Sequence, residues 1–164
     1  MGYRTPPQLL EIQIQRFTDR IDQSPCNGCD HCGTRCTAGI QVLRSEYEAV
    51  RAELARLPAG EVARVLGQGK RVPIPGSEEQ YTACEFRDVE RGRCLVYPAR
   101  PMICRLFGHV EWLPCPIFKV EKLVPGAVSL MQAYAGEPRK TFAEWAAEDG
   151  IAWPPSDEHS APLK

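Results

Sequence analysis

The sequence lacks several features that would have named its class at once. No run of about 18 apolar residues occurs, so no membrane-spanning helix is encoded. There is almost no net charge: 20 basic residues stand against 21 acidic ones, for a formal charge of −1. A general nucleic-acid binder would be strongly basic, so that partner is not expected. No Ser/His/Asp set, phosphate-cradling glycine loop or His-Glu-x-x-His motif is present. The segment Met1–Pro7 lacks the basic stretch and apolar core of a secretory signal. It also lacks a myristoylation pattern, because position 6 is proline. Cytoplasmic residence is the resulting expectation, with thiols kept reduced. Neither an internal repeat nor a long linker appears.

What remains is an ordinary globular composition with one anomaly. The chain has 164 residues, 43% of them hydrophobic and 25% charged, which suits one modest core. Eight residues are cysteine. That is about 5% of the chain, below the roughly 8–10% of a short disulfide scaffold. It is still too many for incidental core thiols. In a reducing compartment, clustered cysteines point to metal or redox chemistry before disulfides.

Periodicity predicts a mainly α protein of α+β class: four to six helices, irregular cysteine-rich loops and one short β-hairpin. Thr5, Pro6 and Gln8 suit a helix start, and Leu10, Ile14, Phe17 and Ile21 follow at helical spacing. Ser45 and Glu48 suit a capping box for a second helix, with Leu43, Tyr47, Val50, Leu54 and Leu57 as its stripe. A third helix carries Val62, Val65 and Leu66 inward and stops at Gly67. Gly69 to Ser77 reads as loop. From Thr82 to Tyr97 two strands are predicted around a turn at Glu90-Arg91-Gly92. A helical turn at Met102, Ile103 and Leu106 closes at Gly108, and Pro114 and Pro116 suggest an irregular loop. Two last helices are expected over Ala127–Ala135 and Arg139–Ala147. Residues 1–153 form one expected domain, and 154–164 a polar tail. Trp112, Trp145 and Tyr97 are expected in the core.

The cysteines fall into two blocks of four. The first is Cys26, Cys29, Cys32 and Cys36; the second is Cys84, Cys94, Cys104 and Cys115. Four soft thiolates are what tetrahedral zinc or an iron–sulfur cluster requires. The first block has the Cys-x2-Cys-x2-Cys-x3-Cys spacing of bacterial ferredoxins, with Thr37 where their run has proline. In that run the fourth cysteine serves another cluster. Spacing therefore leaves two groupings open. Cys36 joins its own block, or a remote thiol such as Cys104 completes the first site and Cys36 pairs with the second block. A thioredoxin-like dithiol at Cys26–Cys29 would need a βαβ context that the sequence does not offer.

Six cations accompany the second block: Arg87, Arg91, Arg93, Arg100, Arg105 and Lys119. Guanidinium groups near a four-thiolate site offset its negative charge and tune a potential. Arg105, beside Cys104 in an apolar segment, is the one most expected at the site. Among the three histidines, His109 is a candidate to orient or hydrogen-bond the ligands, His31 is expected in solvent, and His159 lies in the tail.

The segment Gly92–Gly108, "GRCLVYPARPMICRLFG", resembles the signature of the YkgJ-type cysteine-cluster family of zinc- or iron-chelating domains. Gly92, Cys94, Tyr97, Arg100, Pro101, Cys104 and Arg105 occupy each fixed position of that signature. Cys84-Glu85-Phe86 is similar to its upstream strand and Cys115-Pro116 to its last cysteine. The early cluster departs from the family, since Gly33 stands where a second adjacent cysteine is usual. The resemblance implies a small metal-chelating domain, often described as an iron–sulfur oxidoreductase. The combined expectation is an iron–sulfur protein, [4Fe-4S] favoured over zinc. It carries one or two sites and works in electron transfer or in support of a partner enzyme. A zinc-stapled interaction module and a metal chaperone or sensor are the alternatives. A protein redox or client partner is expected, with no nucleic acid and no membrane.

Overall fold

The computed structural model describes residues 7–154. The expected caps Thr5 and Pro6, the tail from residue 155 and His159 lie outside the described residues. Six α-helices and three two-stranded antiparallel hairpins make up the described chain. The class is the expected mixed α+β, with two more hairpins than the sequence suggested. The chain divides into two compact units. One comprises Met1–Cys32 and Pro101–Arg139, the other Gly33–Arg100 and Lys140–Lys164.

In the first unit, α1 (Pro7–Thr18) turns Leu10 and Phe17 inward. It packs against α4 (Met102–Arg105) and α5 (Ala127–Ala135), whose buried residues include Met102, Leu130 and Tyr134. Between α4 and α5 lies a small hairpin, β5 (His109–Val110) with β6 (Leu113–Pro114), in the register His109↔Pro114. The sequence had suggested an irregular loop there. Pro114 is tolerated because each strand is only two residues long and no ladder continues past it.

The second unit is built on α2 (Arg44–Arg56) and α6 (Phe142–Glu148). The α2 stripe predicted from spacing is the one that is buried, with Tyr47, Val50 and Leu54 inside. Its cap differs from the expected one. Glu46, not Glu48, reaches back to accept the Leu43 N–H at 2.9 Å, and Glu48 instead pairs with Arg44 along the helix. The α6 helix starts three residues later than expected. The Thr141 hydroxyl accepts the Glu144 N–H, and the Glu144 carboxylate accepts the Thr141 N–H. That reciprocal capping fixes the start. Lys140 meanwhile pairs with Val42 as an isolated bridge. Phe142 stacks between Tyr47 (4.7 Å between ring centroids), Phe86 (5.0 Å) and Trp153 (4.4 Å). The indole of Trp145 is buried and donates to the Val42 carbonyl at 3.0 Å.

The other elements of this unit carry the thiols. Helix α3 (Ala59–Leu66) buries Val62 and Val65 and ends at Gly67. A ribbon of β1 (Arg71–Pro73) and β2 (Gln80–Thr82) follows, its first strand inside the stretch 69–77 that had been expected as loop. Each strand turns one half-buried side chain, Val72 or Tyr81, between two exposed ones, too short an alternation to stand out in the sequence. Hairpin β3 (Arg87–Asp88) and β4 (Arg93–Cys94) matches the predicted pair, trimmed to two residues each. Its turn needs the left-handed backbone that Gly92 supplies at φ 66°. Two aromatic expectations are corrected. Trp112 is 43% exposed and Tyr97 42% exposed; only Trp145 of the three lies in the core. The face of Tyr97 is covered by the Arg100 guanidinium at 3.6 Å.

Candidate metal centre

All eight cysteines are half-buried, and none is in a disulfide. The two units divide them unevenly and not by sequence block. Cys26, Cys29, Cys32, Cys104 and Cys115 belong to the first unit; Cys36, Cys84 and Cys94 belong to the second. Cys36 thus leaves its block and joins members of the later one.

Backbone pairing gathers the second set. The Cys84 N–H donates to the Cys36 carbonyl at 2.7 Å, beside a bridge between Thr37 and Ala83. Arg87 follows Cys84 through a tight turn, its N–H on the Cys84 carbonyl at 2.9 Å. Arg87 lies opposite Cys94 in the β3–β4 register. Burial raises the Cys94 thiol to about 11, and the nearby Cys36 charge pushes in the same direction. A neutral thiol is favoured there until something offsets the charge.

Cations stand ready to do so. The Lys70 ammonium is partly buried and donates to the carbonyls of Val65 (2.7 Å) and Arg87 (2.6 Å). Burial lowers its affinity for a proton, and the charges of Cys84, Asp88 and Cys36 act the other way. Its position follows from backbone pairing, since the Ala83 N–H donates to the Lys70 carbonyl while the next N–H, that of Cys84, donates to the Cys36 carbonyl. Arg87 lies against Gly33, where an added Cβ would collide with its guanidinium. The charges of Arg87 and Arg100 both favour the Cys94 thiolate. Arg91 and Arg93 do not share this role; both pair with Glu61 at the surface.

Sequence reasoning missed Lys70, and it missed Asp88. Asp88 is 1% exposed and receives the Arg64 guanidinium at 2.6 Å, the Gln68 amide at 3.0 Å and the Arg91 N–H at 3.2 Å. These donors hold its carboxyl well below the usual aspartate range, Arg64 contributing most. Asp88 is the clamp on the hairpin that carries Cys94. Glu85, next to Cys84, is raised by burial while its carboxylate accepts the Trp153 indole N–H at 2.6 Å.

In the first unit, the Cys29 N–H donates to the Cys26 carbonyl at 3.0 Å, closing the first turn of the cysteine loop. His109 is 1% exposed, and its Nε2 stands 3.5 Å from the Cys26 sulfur. The Cys115 sulfur accepts the Lys119 N–H at 3.4 Å. Arg105 is half-buried at the end of α4, and His31 is exposed on the loop. The stretch around Cys115 also exposes Trp112, Ile117 and Phe118.

Thiols sheltered from bulk water, backbone N–H groups on sulfur and adjacent cations are the donor chemistry of a soft metal ion or an iron–sulfur cluster. In chemistry the residues fit such a group. Among the described residues, no three His, Cys, Asp or Glu side chains are drawn close enough to hold one metal ion between them as they stand. No described helix is long and apolar enough to cross a membrane.

Comparison with known proteins agrees with the donor set. No curated protein and no solved structure matches the chain. A family model does, over residues 25–141, a span that contains all eight cysteines. Its description reads "CxxCxxCC: Putative zinc- or iron-chelating domain". The chain belongs to this metal-chelating cysteine-cluster family.

Proposed function

We propose that the protein is an iron–sulfur protein of the cytoplasm, binding [4Fe-4S] through its cysteines and serving electron transfer or a partner enzyme. One observation carries the reading. The Cys26, Cys29, Cys32 run, with the spacing of a cubane-binding loop, shares a compact unit with two further thiols, Cys104 and Cys115. When bound, such a cluster supplies a site for one electron. The protein's own residues do the rest. Cys36, Cys84 and Cys94 supply three further thiolates, and Lys70, Arg87 and Arg100 offset their charge. The Lys119 N–H withdraws charge from the Cys115 sulfur, which raises the potential of a centre bound there. The apolar side chains exposed beside Cys115 suit the approach of a protein partner. Anaerobic purification is expected to give a brown protein, with broad absorbance near ~400 nm and bound iron and sulfide. A colourless protein carrying stoichiometric zinc refutes this reading.

The buried imidazole beside Cys26 favours a second reading, because zinc readily takes nitrogen together with sulfur. The thiols then staple the fold, and a chelator unfolds the zinc protein.

A further inference from the structure

Cys36 and Cys84 stand far apart in the sequence, and an antiparallel bridge in the second unit brings them together. The bridge pairs Thr37 with Ala83 and is made by two hydrogen bonds. The Ala38 N–H donates to the Thr82 carbonyl at 2.9 Å, and the Cys84 N–H donates to the Cys36 carbonyl at 2.7 Å. These bonds flank the Thr37–Ala83 pair, so the next residues along, Cys36 and Cys84, lie directly opposite one another. Side chains alternate along a strand, so both thiols leave on one face and Thr37 and Ala83 on the other.

Opposed residues joined by a cross-strand hydrogen bond have Cα atoms about 5.5 Å apart and Cβ atoms about 4.5–5.5 Å apart. A disulfide takes Cα atoms about 4.4–6.8 Å apart and Cβ atoms about 3.5–4.5 Å apart. Closing the pair therefore asks only for a small approach of the two Cβ atoms. The pairing ends where that approach is needed. The Cys36 N–H turns back to the Gly33 carbonyl at 3.0 Å, and the Cys84 carbonyl accepts the Arg87 N–H at 2.9 Å, so the ladder stops at this pair. Both thiols are half-buried, not sealed, which lets a small oxidant reach them. The unit's third thiol, Cys94, lies in another hairpin and has Arg87 opposite it.

We infer that Cys36 and Cys84 are a cross-strand redox pair, which closes to a disulfide under oxidation and so withdraws two of the second unit's three thiols from metal. The inference deepens the proposed function and, for the metal it withdraws, rests on it. The bound and bridged states exclude one another: metal holds these sulfurs as separate thiolates, and the bridge forms as the metal leaves. The oxidant is a small disulfide such as oxidised glutathione. One cysteine attacks it, forming a mixed disulfide and releasing one glutathione. The other cysteine then displaces the second glutathione. Each attacking thiol gives up a proton and each departing glutathione takes one. Two protein thiols are thus oxidised to one disulfide, and one disulfide is reduced to two thiols. In a reducing compartment such a bridge is transient, which suits a sensor of oxidising conditions.

The test uses the full chain purified anaerobically with its metal. Oxidised glutathione is added with a chelator that traps departing metal, remaining thiols are alkylated, and peptide mapping locates the bridges. A bridge between Cys36 and Cys84 is expected to dominate, to appear in step with metal release and to reopen with dithiothreitol. The same oxidation in concentrated urea supplies the contrast. An unfolded chain closes short loops first, so bridges within the run from Cys26 to Cys36 are expected there. A missing Cys36–Cys84 bridge in buffer, or the urea pattern in buffer, overturns the inference. So does a bridged chain that keeps all its metal. Elemental analysis of the starting protein keeps the two proposals apart. Zinc in place of iron and sulfide overturns the iron–sulfur reading and leaves the redox pair standing. Iron and sulfide with a different dominant bridge overturns the pair alone.

Discussion

Replacing Asp88 with asparagine removes a buried charge and keeps the shape. Asp88 is 1% exposed and has three donors, of which Arg64 is the strongest. The asparagine amide would offer those donors one oxygen, and its nitrogen would face a donor. Hydrogen bonds to a charged group contribute about 1.5–3 kcal/mol each, and breaking a buried ion pair costs about 3–5 kcal/mol. The Arg64 side chain is 31% exposed and can turn to water, which recovers part of that. A loss of about 2–4 kcal/mol is expected, or about 5–15 °C in Tm for a chain of this size. Urea unfolding followed by tryptophan fluorescence reads it, because Trp145 and Trp153 lie in the same unit. The pH dependence gives a second check. The folded-state carboxyl titrates below its unfolded value, so its contribution is complete above about pH 4. It is lost as the pH falls from there through the folded value. The gap between wild type and Asp88→Asn is therefore widest near neutrality and closes in acid. A loss under about 0.5 kcal/mol, or a gap unchanged between pH 7 and pH 3, would refute the clamp.

Three other outcomes follow from the structure. Phe142→Ala empties the centre of the aromatic stack and is expected to destabilise by about 3–5 kcal/mol in the same urea assay. Thr141→Ala removes the hydroxyl cap of α6 at a cost of about 1 kcal/mol, while Thr141→Ser restores most of it. Gly33→Ala drives the Arg87 guanidinium aside and moves a cation away from Cys94. Its far-ultraviolet circular dichroism should match wild type, and voltammetry should show the iron-loaded centre at a more negative potential; an unshifted potential contradicts the assigned role of Arg87.

The readable parts of the chain were those governed by local rules. The bounds of α5 and the stripe of α2 follow from helical periodicity and are found as expected. The start of α6 was equally local, since Thr141 and Glu144 stand at capping-box spacing, and the expected start at Arg139 passed over that signal. Other misses are tertiary. Whether Trp112 faces the core depends on the hairpin that carries it, and no neighbour in sequence states that. Asp88 and Lys70 resemble surface residues until Arg64, 24 positions before Asp88, and the Arg87 carbonyl, 17 after Lys70, are brought to them. The thiols themselves were plain from spacing. Their division between units was not, because Cys36 follows Cys32 by four residues and yet pairs with Cys84.

The interleaving of the two units also bears on how the protein is made. Cys26, Cys29 and Cys32 are made before the rest of their unit, which resumes at Pro101 and whose last thiol is Cys115. At about 5–20 residues per second, synthesis of the intervening chain takes on the order of 5–15 seconds. For that interval the nascent chain carries the three-thiol loop without the later thiols of its unit. A loading system that acted during translation would meet a partial site. A centre that drew on both stretches would be complete only once Cys115 had been made.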